Sequence, residues 1–163
     1  MKPGRDEKPE AVYRACRGRM YQAAYRILRD PAEAEDAVHE GFISMLPFLD
    51  RVDDPASPRT LAFAAAAAES RAIDIYRKRS RGGLVPFDDA IAVSAPSSDG
   101  SISETIAALP GESRRLLLLR YDVGLKVAEI ARLTGKSYHA VYKGIERAKA
   151  RLAEELSKGG IDV

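Results

Sequence analysis

Residues 125–152 read LKVAEIARLTGKSYHAVYKGIERAKARL, and this pattern decides the fold. Val127, Ile130, Ala131 and Leu133 recur at helical spacing and predict a short helix. Gly135 breaks it, because glycine accepts the positive φ of a sharp inter-helix turn. Ser137 is placed to cap a second helix. In that helix Val141, Ile145, Ala148, Leu152 and Leu156 fall on one stripe, at steps of three and four. His139, Tyr142, Lys143, Glu146, Arg147 and Ala150 take the opposite face. Two helices joined by a short turn containing glycine make a helix-turn-helix, whose second helix enters the DNA major groove.

An ordinary helical hairpin has the same periodicity, so charge must help decide. Between Tyr138 and Leu152 the basic residues are Lys143, Arg147, Lys149 and Arg151, against Glu146 alone. The whole chain of 163 residues carries a net charge of only +2, so its basic groups are gathered locally. A basic helix of this kind is the expected footprint of phosphate binding.

The chain is long enough for one ordinary domain or two small ones. With a single cysteine, Cys16, it forms no internal disulfide, and that thiol is expected to act as a small buried hydrophobe. The first eight residues have no apolar core, and no stretch approaches the ~18 apolar residues of a membrane span. The expectation is a soluble, cytoplasmic protein without a membrane segment.

Residues 1–9 read as disordered. A first helix is expected over about 10–28, with Val12, Cys16, Met20, Ala23, Ala24, Ile27 and Leu28 inside. Asp30, Pro31 and Glu33 then supply an N-cap, a first-turn proline and the third residue of a capping box. The helix they start should bury Val38, Phe42, Met45, Leu46 and Leu49, leaving Asp36, His39, Glu40 and Ile43 partly or wholly off that face. Residues 50–60 are a connector, with two prolines and paired aspartates. A third helix is expected from near Arg59 to about Arg79. Its alanines at 62, 65, 66 and 72 suggest close helix–helix approach. Its end gathers Arg71, Arg77, Lys78, Arg79 and Arg81 against Asp74, more cations than a helix C-terminus needs. Gly82-Gly83 stops it. Residues 82–103 have linker composition, with at most a short ordered piece at 85–91, and a linker of that length spans about 25 Å. Pro110 opens a further helix with Leu116 to Leu119 and Tyr121 in its core, ended by Gly124. The expected fold is all-α: a helical domain over 10–81, a flexible linker over 82–103, and a helix-turn-helix domain over 104–157.

Three segments carry a resemblance. They are Asp30-Pro-Ala-Glu-Ala-Glu-Asp-Ala-Val-His-Glu-Gly-Phe, then Arg71-Ala-Ile-Asp-Ile-Tyr-Arg-Lys-Arg, and last Ala108-Leu-Pro through Val141 to Leu152. In this order and spacing the chain, from about residue 10 to 156, resembles the extracytoplasmic-function class of bacterial sigma factors, which keep regions two and four of the larger family. The resemblance implies roles. Asp36, His39 and Glu40 would face the clamp of core RNA polymerase. Ser70, Arg71, Asp74, Arg77, Lys78, Arg79 and Arg81 would lie along the −10 element of promoter DNA. Tyr138, His139, Tyr142, Lys143 and Arg147 would meet the −35 element. It also implies a non-enzymatic factor without cofactor, and an anti-sigma factor as a further partner; no metal site is expected, because no second His or Cys lies at ligand spacing from His39. Three positions depart from the family pattern. Lys136 stands in the turn where an apolar residue is usual. Gly144 stands where a basic or polar helix former is usual, and glycine in a helix interior costs about 1 kcal/mol, so this departure bears on helix stability and the −35 contacts. Phe63 replaces a frequent tryptophan. Two other readings compete: a stand-alone helix-turn-helix regulator, and a sigma-like interaction module that does not use DNA. Gly144 mildly favours the latter.

Overall fold

The computed structural model describes residues 7–80, 105–106 and 108–158. The 82–103 linker, its 85–91 piece and Arg81 lie outside them. The chain divides into two compact units. The first holds α1 (Lys8–Leu28), α2 (Pro31–Met45), a 3-10 turn (Leu46–Arg51) and α3 (Pro58–Arg79). The second holds α4 (Gly111–Leu117), a π-helical turn (Leu118–Asp122), most of α5 (Val127–Thr134) and α6 (Tyr138–Lys158).

Helix α1 starts at Lys8, two residues before the expected start, so residues 8 and 9 are helical. Pro9 explains this: its fixed φ and missing N–H suit a first turn, where donors are unpaired anyway. The seven residues expected inside are the seven buried ones. The Cys16 thiol donates to the Pro55 carbonyl at 3.6 Å, and burial pushes it up to about 11. Arg29 ends the helix in the left-handed region, at φ 56°, with its N–H on the Tyr25 carbonyl.

Asp30 caps α2 by accepting from the Ala32 N–H at 3.0 Å. The expected capping box is only half made, because the Glu33 carboxylate turns instead to Arg79. The helix also stops short. Pro47 has no N–H to offer the Ile43 carbonyl, so the Leu46 N–H takes that carbonyl in a 3-10 bond. The tightened turn leaves Leu46 exposed and buries Phe48 and Leu49. Leu46 therefore does not belong to the buried face, and Phe42 is only half-buried. The face is made by Ala34, Ala37, Val38, Gly41 and Met45.

Ser57 caps α3, accepting from the Thr60 N–H at 3.1 Å, with Pro58 in the first turn. The run from Phe63 to Ala68 is buried on every side because α3 lies between α1 and α2. Small side chains let the backbones approach. A Cβ on Gly41 would stand 3.0 Å from the Cα and N of Ala68.

In the second unit Leu117 of α4 and Leu109 just before it pack with Ala148 and Leu152 of α6. The π turn, closed by the Val123 N–H on the Leu118 carbonyl, rotates Tyr121 outward, so it is 59% exposed and not in the core. Gly124 ends the segment at φ 87°. Gly144 is buried against α4: a Cβ there would meet Leu116 Cδ1 at 2.6 Å. Its place is a close helix crossing, where a side chain has no room without displacing Leu116.

Candidate nucleic-acid interface

The turn before α6 is built from local chemistry. Gly135 takes φ 73° and closes α5 with its N–H on the Ala131 carbonyl. Ser137 Oγ accepts from the Ala140 N–H at 3.1 Å. Lys136 in the turn binds Glu112 at 2.5 Å, so this departure from the family pattern ties the turn to the start of α4. Val141, Gly144, Ile145, Ala148 and Leu156 then go into the core.

That leaves Tyr138, His139, Tyr142, Lys143, Glu146 and Arg147 exposed along one side of α6. The strip from 138 to 147 is roughly 14 Å long at the helical rise, comparable to the roughly 12 Å width of the major groove. Its one acid is neutralised locally, since Lys149 Nζ reaches Glu146 at 3.3 Å. The Lys149 ammonium is held above its ordinary range by that bond and by the Tyr121 hydroxyl. Among the described residues Lys143 and Arg147 make no ion pair, so the strip carries two uncompensated cations.

The cationic end of α3 separates into groups with different surroundings. Ser70 Oγ donates to the Ala66 carbonyl at 3.0 Å. Arg71 pairs with Asp74 at 3.6 Å. Arg77 and Lys78 are exposed. Arg79 is committed elsewhere: its Nη1 lies 2.6 Å from Glu33 and 3.1 Å from the Leu28 carbonyl, with its guanidinium over the Tyr76 ring. It clasps the ends of α1, α2 and α3. The pairing spans 46 residues, so no local signal in the sequence reveals it.

On α2, Asp36, His39 and Glu40 share an exposed face. His39 is stacked over Tyr13, ring centroids 6.4 Å apart, and Tyr13 meets Phe42 edge-on at 5.0 Å. Ile43, 63% exposed, and Leu46 continue this face. Leu46 continues the apolar stripe in sequence but is exposed in the structure. Pro47 was the signal that the stripe ends. Among the described residues no helix is long and apolar enough to cross a membrane.

Two family descriptions match in order along the chain: Sigma-70 region 2 over residues 12–82 and Sigma-70, region 4 over residues 99–152. The probable RNA polymerase sigma factor RfaY of Xanthomonas campestris pv. campestris is 31% identical over 159 residues, covering 89% of this chain and 39% of RfaY. The ECF RNA polymerase sigma factor SigD of Mycobacterium tuberculosis is 28% identical over 161 residues, covering 91% of this chain and 73% of SigD. The chain thus spans well under half of the first relative and most of the second. Among solved structures, the sigma factor RpoE of Bartonella quintana, in complex with the anti-sigma factor NepR, matches with a TM-score of 0.44 at 18% identity, over 94% of this chain and 98% of that one.

Proposed function

We propose how this chain, which belongs to the sigma-70 family of RNA polymerase sigma factors and to its extracytoplasmic-function class, divides promoter recognition between its two units. It gives core RNA polymerase its promoter specificity and performs no chemistry itself. It acts in the cytoplasm, where the polymerase is. The unit over residues 10–81 holds the polymerase through Asp36, His39 and Glu40, and meets the −10 element along Ser70, Arg71, Asp74, Arg77 and Lys78. Arg79 serves this surface indirectly, by fixing the helix ends. The unit over residues 104–157 meets the −35 element with Tyr138, His139, Tyr142, Lys143 and Arg147. An anti-sigma factor is the regulatory partner this class implies.

The observation that carries the reading is the outer strip of α6. A helix anchored by Val141, Ile145 and Ala148 presents two unpaired cations and two tyrosines at major-groove scale. Phosphate contacts from such a strip set register, and contacts to base edges set sequence. Gly144 gives the interaction-module reading no support, because its lack of a side chain is explained by Leu116.

Run-off transcription with purified core enzyme tests this. The wild-type chain should direct initiation from its cognate promoter. The pair Lys143→Ala and Arg147→Ala should abolish that selection while the protein still co-elutes with core. Loss of core binding in that variant would overturn the division of labour.

A further inference from the structure

Glu146 is the one acid on the outer strip of α6, and its own helix offers it two cations. Lys143 stands three residues before it and Lys149 three after, both within side-chain reach along a helix. At four residues' distance stand Tyr142 and Ala150, which carry no charge. The choice between the lysines is made in the structure. Lys149 Nζ lies 3.3 Å from the Glu146 carboxylate, and Lys143 makes no ion pair among the described residues.

The helix alone makes that choice a close one. Pairs between half-exposed side chains are weak, and the order of the charges favours Lys149 only slightly. A second bond to Lys149 comes from off the helix: its ammonium donates to the Tyr121 hydroxyl. Tyr121 is within reach because of the π turn, which belongs to the same unit as α6. In a continued α-helix Tyr121 would stand one turn beyond the buried Leu117, on the same side. The wider turn, closed by the Val123 N–H on the Leu118 carbonyl at 2.9 Å, carries it outward to 59% exposure. Its ring is held from its own turn as well. The Arg120 guanidinium lies over it, 5.6 Å from the centroid, and Arg120 Nη1 donates to the Leu125 carbonyl at 3.2 Å. Single π turns in helical segments frequently sit at functional sites.

We infer that Tyr121 is a positioning residue for −35 recognition: by holding Lys149 beside Glu146, it keeps that carboxylate off Lys143, which stays free for DNA. The inference rests on the reading of α6 as the −35 helix and deepens it. Without the tyrosine hydroxyl Lys149 loses its second anchor, and Glu146 divides itself between its two lysines. A Lys143 paired with Glu146 must break that pair before it meets a base edge or a phosphate, and its contact is weaker by that amount. Tyr121 thus acts through two other side chains and touches no base.

The test reads the affinity of the holoenzyme for a fluorescein-labelled duplex carrying the cognate −35 element, by anisotropy. Tyr121→Phe keeps the ring and removes only the hydroxyl. It should leave the melting temperature unchanged and weaken binding about twofold, the strength of one exposed helix ion pair. In a Glu146→Gln background the same change should have no effect, because no carboxylate remains to migrate. In a Lys143→Ala background it should have none either. A tyrosine that contacted DNA directly would weaken binding equally in all three backgrounds, and that result overturns the positioning role. So does wild-type affinity in the Tyr121→Phe single variant. Wild-type affinity in Lys143→Ala alone would instead sink the −35 reading of this lysine, on which the inference rests.

Discussion

Gly41 of α2 lies against the backbone of Ala68 in α3, so close that a Cβ would stand 3.0 Å from both the Cα and the amide nitrogen. The obstacle is main chain, which no rotamer change can clear. Gly41→Ala should therefore destabilise the first unit, although alanine is the better helix former by about 1 kcal/mol. Overpacking of a tight crossing costs about 1–3 kcal/mol, so the net effect in urea unfolding should be a loss. A stabilised variant would mean that α2 and α3 can separate freely.

The second glycine crossing should behave differently. Opposite Gly144 stands Leu116 Cδ1, the tip of a buried side chain. In a Leu116→Ala background, Gly144→Ala should recover the helix-propensity gain of about 1 kcal/mol. In the wild-type background the gain should be smaller or reversed. A double-mutant cycle measures this coupling directly, and zero coupling would refute the contact.

How much of this was legible follows from the range of each interaction. The starts of α2 and α6 were readable because Asp30, Gly135 and Ser137 act within three residues of themselves. The seven core positions of α1 were readable because they follow one period. Leu46 and Tyr121 were misplaced because that period was extrapolated through a 3-10 turn and a π turn, each of which changes the angle per residue. The packing of Gly144 and the clasp made by Arg79 were not legible for a different reason. Their partners, Leu116 and Glu33, are distant in sequence, and composition says nothing about which cation finds an acid.

Arg79 yields the third prediction. Its carboxylate and carbonyl bonds tie three helix ends together, and hydrogen bonds to charged groups contribute about 1.5–3 kcal/mol each before solvent screening. It is partly exposed, so Arg79→Ala should cost about 1–2 kcal/mol after that discount. Arg77→Ala and Lys78→Ala should stay within about 0.5 kcal/mol of wild type, as surface substitutions do. Promoter binding by the holoenzyme should rank the three the other way, with Arg77 and Lys78 affecting its salt dependence. Equal stability for all three variants would remove the clasp.

Cys16 gives a pH dependence. Burial raises its thiol from 9.0 to about 11, so above the lower value the folded chain holds a proton that the unfolded chain releases. The stabilising contribution is complete below pH 9 and is lost as pH rises toward 11. Native protein at pH 8 should resist iodoacetamide and be alkylated in urea. Rapid alkylation of the native form would show that the connector over Pro55 opens readily.

The two unpaired cations of the 138–147 strip should separate by position. Lys143 lies five residues into the helix from Tyr138, nearer the end that reads base edges in helix-turn-helix complexes, and Arg147 lies one turn further along. Lys143→Ala should therefore cost about 1–3 kcal/mol at one preferred base pair and relax discrimination there. Arg147→Ala should weaken all promoters alike and reduce the slope of log affinity against log salt by about 0.9. Measuring both variants as holoenzyme on a panel of −35 substitutions resolves the two roles. If Lys143→Ala weakened every sequence equally while Arg147→Ala relaxed one position, the helix would sit about one turn further into the groove than its anchoring suggests.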